Sequence, residues 1–209
     1  GRAIAGLTPH RPQRQGYNRR RPNPANSQAP AHTPKPFLRN LSMKLYFSQG
    51  ACSLSPHIVL REAGVPFELV RVHLCSKKTA DGADFRAINP KGYVPTLMLG
   101  DGQILTEGPA IVQYIADLRP ESGLAPPAGT MERYRLQEWL NFISTEIHKG
   151  FSPLFGSKTP SEWKEVVREN LAARLDVLVG LLGDRPFLLG DTFTAADAYL
   201  FTTLRWGKF

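Results

Sequence analysis

The stretch from Lys44 to Leu118 constrains the fold most, because its hydrophobic period changes in a fixed order. Lys44 to Phe47 read as a short strand, Ser48-Gln49-Gly50-Ala51 as a loop, and a helix follows from about Ser55, with Pro56 suited to its first position. Gly64 ends that helix, and Phe67 to Leu74 (FELVRVHL) alternates apolar with polar, as a half-buried strand does. This is a βαβ unit. Thr96 to Leu99 and Gln103 to Leu105 flank Gly100-Asp101-Gly102, which is hairpin chemistry, and a helix from about Pro109 to Leu118 closes the set. The order β-α-β, then β-β-α, predicts a compact α/β domain with a mixed sheet over residues 43–120.

Beyond Pro120 the pattern is helical only. Residues 121–129, with Gly123 and Pro126-Pro127, continue neither helix nor strand and read as an interdomain linker. From Thr130 to Lys149, Leu136, Leu140, Ile143 and Ile147 form one apolar stripe. Thr159-Pro160-Ser161-Glu162 has the spacing of a capping box and opens a helix carrying Leu171, Leu175, Leu178 and Leu182 before Gly183. A third helix starts at Thr194, where Asp197 returns the cap. The expected fold class is therefore α/β followed by an all-α domain over residues 130–209.

Net charge suggests a polyanionic partner until it is located. The chain carries +8, yet residues 1–42 hold eight of its 26 Lys and Arg and none of its 18 Asp and Glu, which leaves the remainder neutral. That leader also contains seven of the 18 prolines and few large apolar residues, so it is expected to be disordered. A transit peptide or a nucleic-acid arm would use such residues, but the leader has no initiator Met and no apolar core segment. The expectation is a leader without function, upstream of a natural start at Met43, and no nucleic-acid partner. No apolar run approaches the length of a membrane span. Two cysteines, Cys52 and Cys75, make no disulfide framework, and no Cys/His spacing matches a zinc site, which fits a reducing, cytoplasmic setting and no metal.

Cys52 stands at the end of the first strand, just before a helix start, where orphan N–H groups and the helix dipole favour a thiolate. Ser55 occupies the place of a second cysteine, so a mixed disulfide with a small thiol is the natural partner state. A small buried hydrophobe is the other reading of a free cysteine. Pro95 is a candidate cis residue that would present the main chain of Val94 to an extended ligand; an ordinary trans proline at a strand entry is the alternative. Asn141 and His148 are seven residues apart and so within about 20° on an α-helix. Cys75, at the end of an alternating strand, reads as packing.

Five segments now stand in order: GACSLSPHIVLREAG around Cys52, NPKGYVPTLML, LTEGPAIVQYIAD, EWLNFISTEIHKGF and FTAADAYLFTTLRW. Together they resemble a bacterial beta-class glutathione S-transferase, over residues 43–209 without a detectable gap. The resemblance implies a thioredoxin-like N-terminal domain, a helical-bundle C-terminal domain, a homodimer, and glutathione as cosubstrate in a cleft between the domains. It implies catalytic roles for Cys52, facing the glutathione sulfur, and His148, which would stabilise a thiolate or shuttle a proton near neutral pH. It further implies Lys77 at the glycine carboxylate, Val94 and Pro95 at the cysteinyl main chain, and Glu107 at the γ-glutamyl ammonium. Gly108 takes the place where relatives often carry Ser or Thr. Asn141, Lys149 and Trp206 complete the set from the helical domain, and Ser53 is a possible auxiliary hydroxyl.

The activity so implied is conjugation of glutathione to electrophiles, or reduction of disulfides and peroxides through a Cys52-glutathione mixed disulfide, with the cysteine favouring the redox route. A non-enzymatic binder of glutathione or hydrophobic ligands is the alternative. Relatives continue with further helices beyond the position of Phe209, so a truncated chain of poor solubility and weak activity is expected.

Overall fold

The computed structural model describes residues 43–208, so the expected disorder of the leader lies outside the described residues. Five strands form one mixed sheet in the order β3-β2-β1-β4-β5: β1 (Met43–Phe47), β2 (Phe67–His73), β3 (Lys78–Thr79), β4 (Thr96–Met98) and β5 (Ile104–Thr106). β1 runs parallel to β2 through the crossover helix α1 (Leu54–Glu62), and antiparallel to β4. The β4–β5 hairpin closes over Gly100-Asp101-Gly102, with Gly102 at φ 85°, as its glycines require. Helix α2 (Gly108–Leu118) follows. β3 and a 3-10 turn at Phe85–Ala87 were not legible as elements, being two and three residues long.

Strand alternation sets the two faces of the sheet. Met43, Leu45 and Leu97 join the main core with Val59 and Leu60 of α1 and Ile111, Val112 and Ile115 of α2. Tyr46, Val72, Phe85 and Val94 pack as a smaller cluster on the other face. The main core continues into the helical domain through Leu136, Leu140 and Ile143 and through Ala195, Ala196 and Ala198. Small alanines let helix α6 (Ala195–Leu204) lie close against α1.

The expected helix over residues 130–149 is three elements: α3 (Met131–Phe142), a π-helical turn (Ile143–His148) and α4 (Lys149–Phe155). Its apolar stripe is nevertheless buried. Helix α5 (Ser161–Leu182) starts without the expected capping box. Pro160 occupies the cap position and has no side-chain acceptor, while the Thr159 hydroxyl is turned toward the Cα of Gly156. At α6 the cap does form. The Asp197 carboxylate accepts from the Thr194 N–H (2.8 Å), the Thr194 hydroxyl (2.7 Å) and the Leu188 N–H (2.8 Å). A 3-10 turn at Arg205–Lys208 follows.

The linker is tied to both domains. Arg133, buried in the first turn of α3, donates from Nε to the Pro126 carbonyl (2.7 Å) and clasps the Asp117 carboxylate of α2 with both terminal nitrogens. The Leu124 carbonyl accepts from the Ala195 N–H at the start of α6 (2.9 Å). Val179 and Leu181 of α5 and Phe201 of α6 are more than half exposed. No helix among the described residues is long and apolar enough to cross a membrane.

Candidate active site

The loop between β1 and α1 holds Cys52 in place. The Ser53 hydroxyl accepts from the Ser48 N–H (3.1 Å) and donates to the Ser48 carbonyl (3.2 Å), and the Trp206 indole donates to the Gly50 carbonyl (2.8 Å). Ser53 is fully buried in this role, so it is not an auxiliary hydroxyl for substrate. Helix α1 begins at Leu54, and Pro56 falls third, where its missing N–H still interrupts no intrahelical bond. The Cys52 thiol donates to the Val94 carbonyl (3.2 Å), and the Val94–Pro95 peptide is cis.

Two cavities meet at Cys52. One, of about 550 Å³, is lined by Cys52, Val94, Pro95, Glu107, Gly108, His148 and Lys149, together with Lys91, Tyr93, Ser144 and Tyr199. The other, of about 480 Å³, is mostly apolar, with Gly50, Ala51, Leu74, Phe155 and Trp206 in its wall. Cys52, His148 and Ser152 belong to both. The structure thus brings seven of the expected residues to the polar cavity and Trp206 to the apolar one. The two domains contribute to each.

Two expected residues stand elsewhere. Lys77 donates to the Gly92 carbonyl (2.9 Å), lies over the Tyr93 ring at 5.1 Å and lines neither cavity. Asn141 is exposed and lines neither cavity. Its shared face with His148 assumed 3.6 residues per turn across seven residues, and the π-helical turn between them, with its wider i→i+5 winding, breaks that arithmetic. Cys75 is exposed, not packed, because β2 ends at His73.

Glu107 adopts φ 68° in a region that costs a non-glycine residue about 1–3 kcal/mol. Helix α2 holds it there: the Ala110 and Ile111 N–H groups both donate to its carbonyl (3.1 and 3.0 Å). Its carboxylate pairs with the Lys91 ammonium at 2.7 Å. Both side chains are more than half exposed, so the pair is worth at most about 1 kcal/mol and yields readily to another cation. Gly108 and Pro109 line the cavity behind it, and Pro109 has no N–H, which leaves Gly108 as the first main-chain donor there.

Burial opposes the expected thiolate. Desolvation pushes the Cys52 thiol up to about 11, against the smaller lowering effects of main-chain N–H groups and of Lys149. It likewise pushes His148 down to about 4, with Lys149 adding to the effect, so the ring is neutral near pH 7. His148 Nδ1 lies 2.6 Å from the Tyr199 hydroxyl, and its ring packs edge-on against Trp206. Tyr199, Lys91, Ser144, Ser152 and Phe155 were missed from sequence. For Tyr199 a signal existed: a tyrosine inside the apolar run of α6 needs a partner for its hydroxyl. Among the described residues no group of three or more His, Cys, Asp or Glu is placed to hold a metal.

Residues 50–118 match the glutathione S-transferase N-terminal domain, and residues 132–206 the glutathione S-transferase C-terminal domain. The chain is 52% identical over 164 residues to glutathione S-transferase GstA of Escherichia coli O157:H7, covering 78% of this chain and 82% of that protein. A solved ternary complex of BphK, a bacterial glutathione S-transferase, is 59% identical with a TM-score of 0.78, over 79% of this chain and 82% of that one. A sphingomonad glutathione S-transferase complexed with glutathione is 48% identical with a TM-score of 0.76, over 78% and 81%. Two domain matches in order, relatives near half identical along most of both chains, and the fold itself agree: this chain belongs to the glutathione S-transferase family.

Proposed function

We propose that this chain is a beta-class glutathione transferase that conjugates glutathione to small hydrophobic electrophiles. The observation that carries the reading is the place of Cys52 and His148 on the shared wall of one polar and one apolar cavity. Glutathione is a zwitterion of net negative charge, and the polar cavity offers it both signs: Lys91 and Lys149 for carboxylates, Glu107 for the γ-glutamyl ammonium. The ammonium takes the Glu107 carboxylate from Lys91. Cys52 turns its S–H from the Val94 carbonyl toward the glutathione sulfur, which frees that carbonyl for the cysteinyl N–H. The glutathione thiol loses its proton to solvent, Lys149 stabilises the thiolate, and an electrophile in the apolar cavity accepts the sulfur as its leaving group departs.

The protonated Cys52 weighs against the mixed-disulfide route, because thiol–disulfide exchange proceeds through the thiolate. Conjugation asks of Cys52 a donor only. Detoxification in a cytoplasmic homodimer is the setting that goes with this reading. Tyr93, Met131 and Tyr134, large side chains left more than half exposed, are candidates for the subunit contact.

Turnover of glutathione with 1-chloro-2,4-dinitrobenzene tests the proposal. The wild type is expected to release the conjugate, His148→Ala to lose roughly tenfold or more in kcat, and Cys52→Ser, which keeps a donor, to stay within about tenfold. Disulfide reduction, where present, should vanish in Cys52→Ser. Glutathione binding without turnover would identify the non-enzymatic binder instead.

A further inference from the structure

Among the described residues His148 is the one imidazole at the cavity junction, and a neutral imidazole offers either a lone pair or an N–H to whatever lies there, depending on which nitrogen carries the proton. The hydrogen bond made by the other nitrogen decides. In this chain that bond goes to Tyr199, a residue 2% exposed whose hydroxyl stands 2.6 Å from Nδ1. We propose that Tyr199 is a positioning residue: its hydroxyl donates to Nδ1 and fixes the His148 proton on Nε2, so that His148 presents an N–H to the sulfur held at Cys52.

Three observations carry the direction of that bond. Burial raises the Tyr199 phenol above its ordinary value, so it keeps its proton and must place it on an acceptor. Among the described residues the Tyr199 hydroxyl makes no other hydrogen bond, which leaves the phenol proton for His148. The His148 ring cannot swing to choose another partner, since Tyr199 and Trp206 pack edge-on against it at 5.8 and 4.9 Å between centroids. An N–H aimed at a sulfur favours its anion without adding a proton-accepting group beside it. The inference deepens the proposed conjugation and rests on it for the identity of the sulfur, although the tautomer itself does not.

Nitrogen-15 NMR of the imidazole rings tests it, with the His148 signals identified by their loss in His148→Gln. The wild type should show Nε2 protonated and Nδ1 bare near pH 7. Tyr199→Phe, which removes only the hydroxyl, should show a mixture of both tautomers. Its kcat for conjugation should fall about tenfold while KM for glutathione changes less than twofold. A wild-type His148 protonated on Nδ1 overturns the proposal, as does a Tyr199→Phe protein with an unchanged tautomer and unchanged kcat. Absence of conjugation by the wild type would refute the proposed function and leave the tautomer reading to the spectrum.

Discussion

Cys52 stands one residue ahead of the Ser53 cap of α1, yet burial pushes its thiol up to about 11, which keeps it protonated at pH 7. Alkylation of Cys52 by iodoacetamide should therefore rise about tenfold per pH unit from 7 to 10. Lys149→Gln should slow it at every pH in that range, because Lys149 lowers the thiol's pKa. Site-resolved mass spectrometry separates this adduct from the one on exposed Cys75. The position of Cys52 was legible in sequence because a strand end and a helix start are local signals. Its protonation was not, since the desolvating wall includes His148 and Trp206, about a hundred residues and more away. Gly108 is open to repair. A Cβ there meets only Pro95 Cγ, at 3.9 Å, so Gly108→Ser should leave the fold intact and lower KM for glutathione about threefold to tenfold through the added hydroxyl.

Two sites with the spacing of a capping box behave differently, and the difference can be measured. At α6 a buried Asp197 satisfies two main-chain N–H groups and a hydroxyl, so Asp197→Ala should cost about 2–4 kcal/mol in urea unfolding. At α5 the Thr159 side chain caps nothing, and Thr159→Ala should change stability by less than about 0.5 kcal/mol. Spacing showed both boxes, but only the carboxylate at Asp197 had the Leu188 N–H brought to it by the preceding turn. Apart from β3, the strands of the sheet domain and its helices α1 and α2 were legible because each keeps one period. The π-helical turn was not, because the stripe Leu136, Leu140, Ile143, Ile147 is equally buried by either winding. That one turn separates Asn141 from the cavities and delivers Ser144 and His148 to them.

Across the whole molecule the site depends on two domains held in one register, through the continuous core, the Arg133–Asp117 clasp and the Trp206–Gly50 bond. Folding carries His148 into that junction as a neutral ring. Its folded pKa, about 4, lies below the unfolded value of 6.5, so its contribution is complete above pH 6.5 and is lost as pH falls toward 4. The loss should amount to about 1–3 kcal/mol, allowing for screening of a partly exposed ring, and should be absent from the difference between pH 6.5 and pH 4 in His148→Gln. In the proposed complex a glutathione sulfur rests at Cys52 with its peptide in one cavity and its electrophile in the other. A crystal structure with S-(2,4-dinitrophenyl)glutathione tests it most directly. The peptide is expected against Val94, Glu107 and Gly108, the sulfur within hydrogen-bonding reach of Cys52 Sγ, and the ring against Phe155 and Trp206. A conjugate bound with its sulfur away from Cys52, or with its ring outside the apolar cavity, would contradict it.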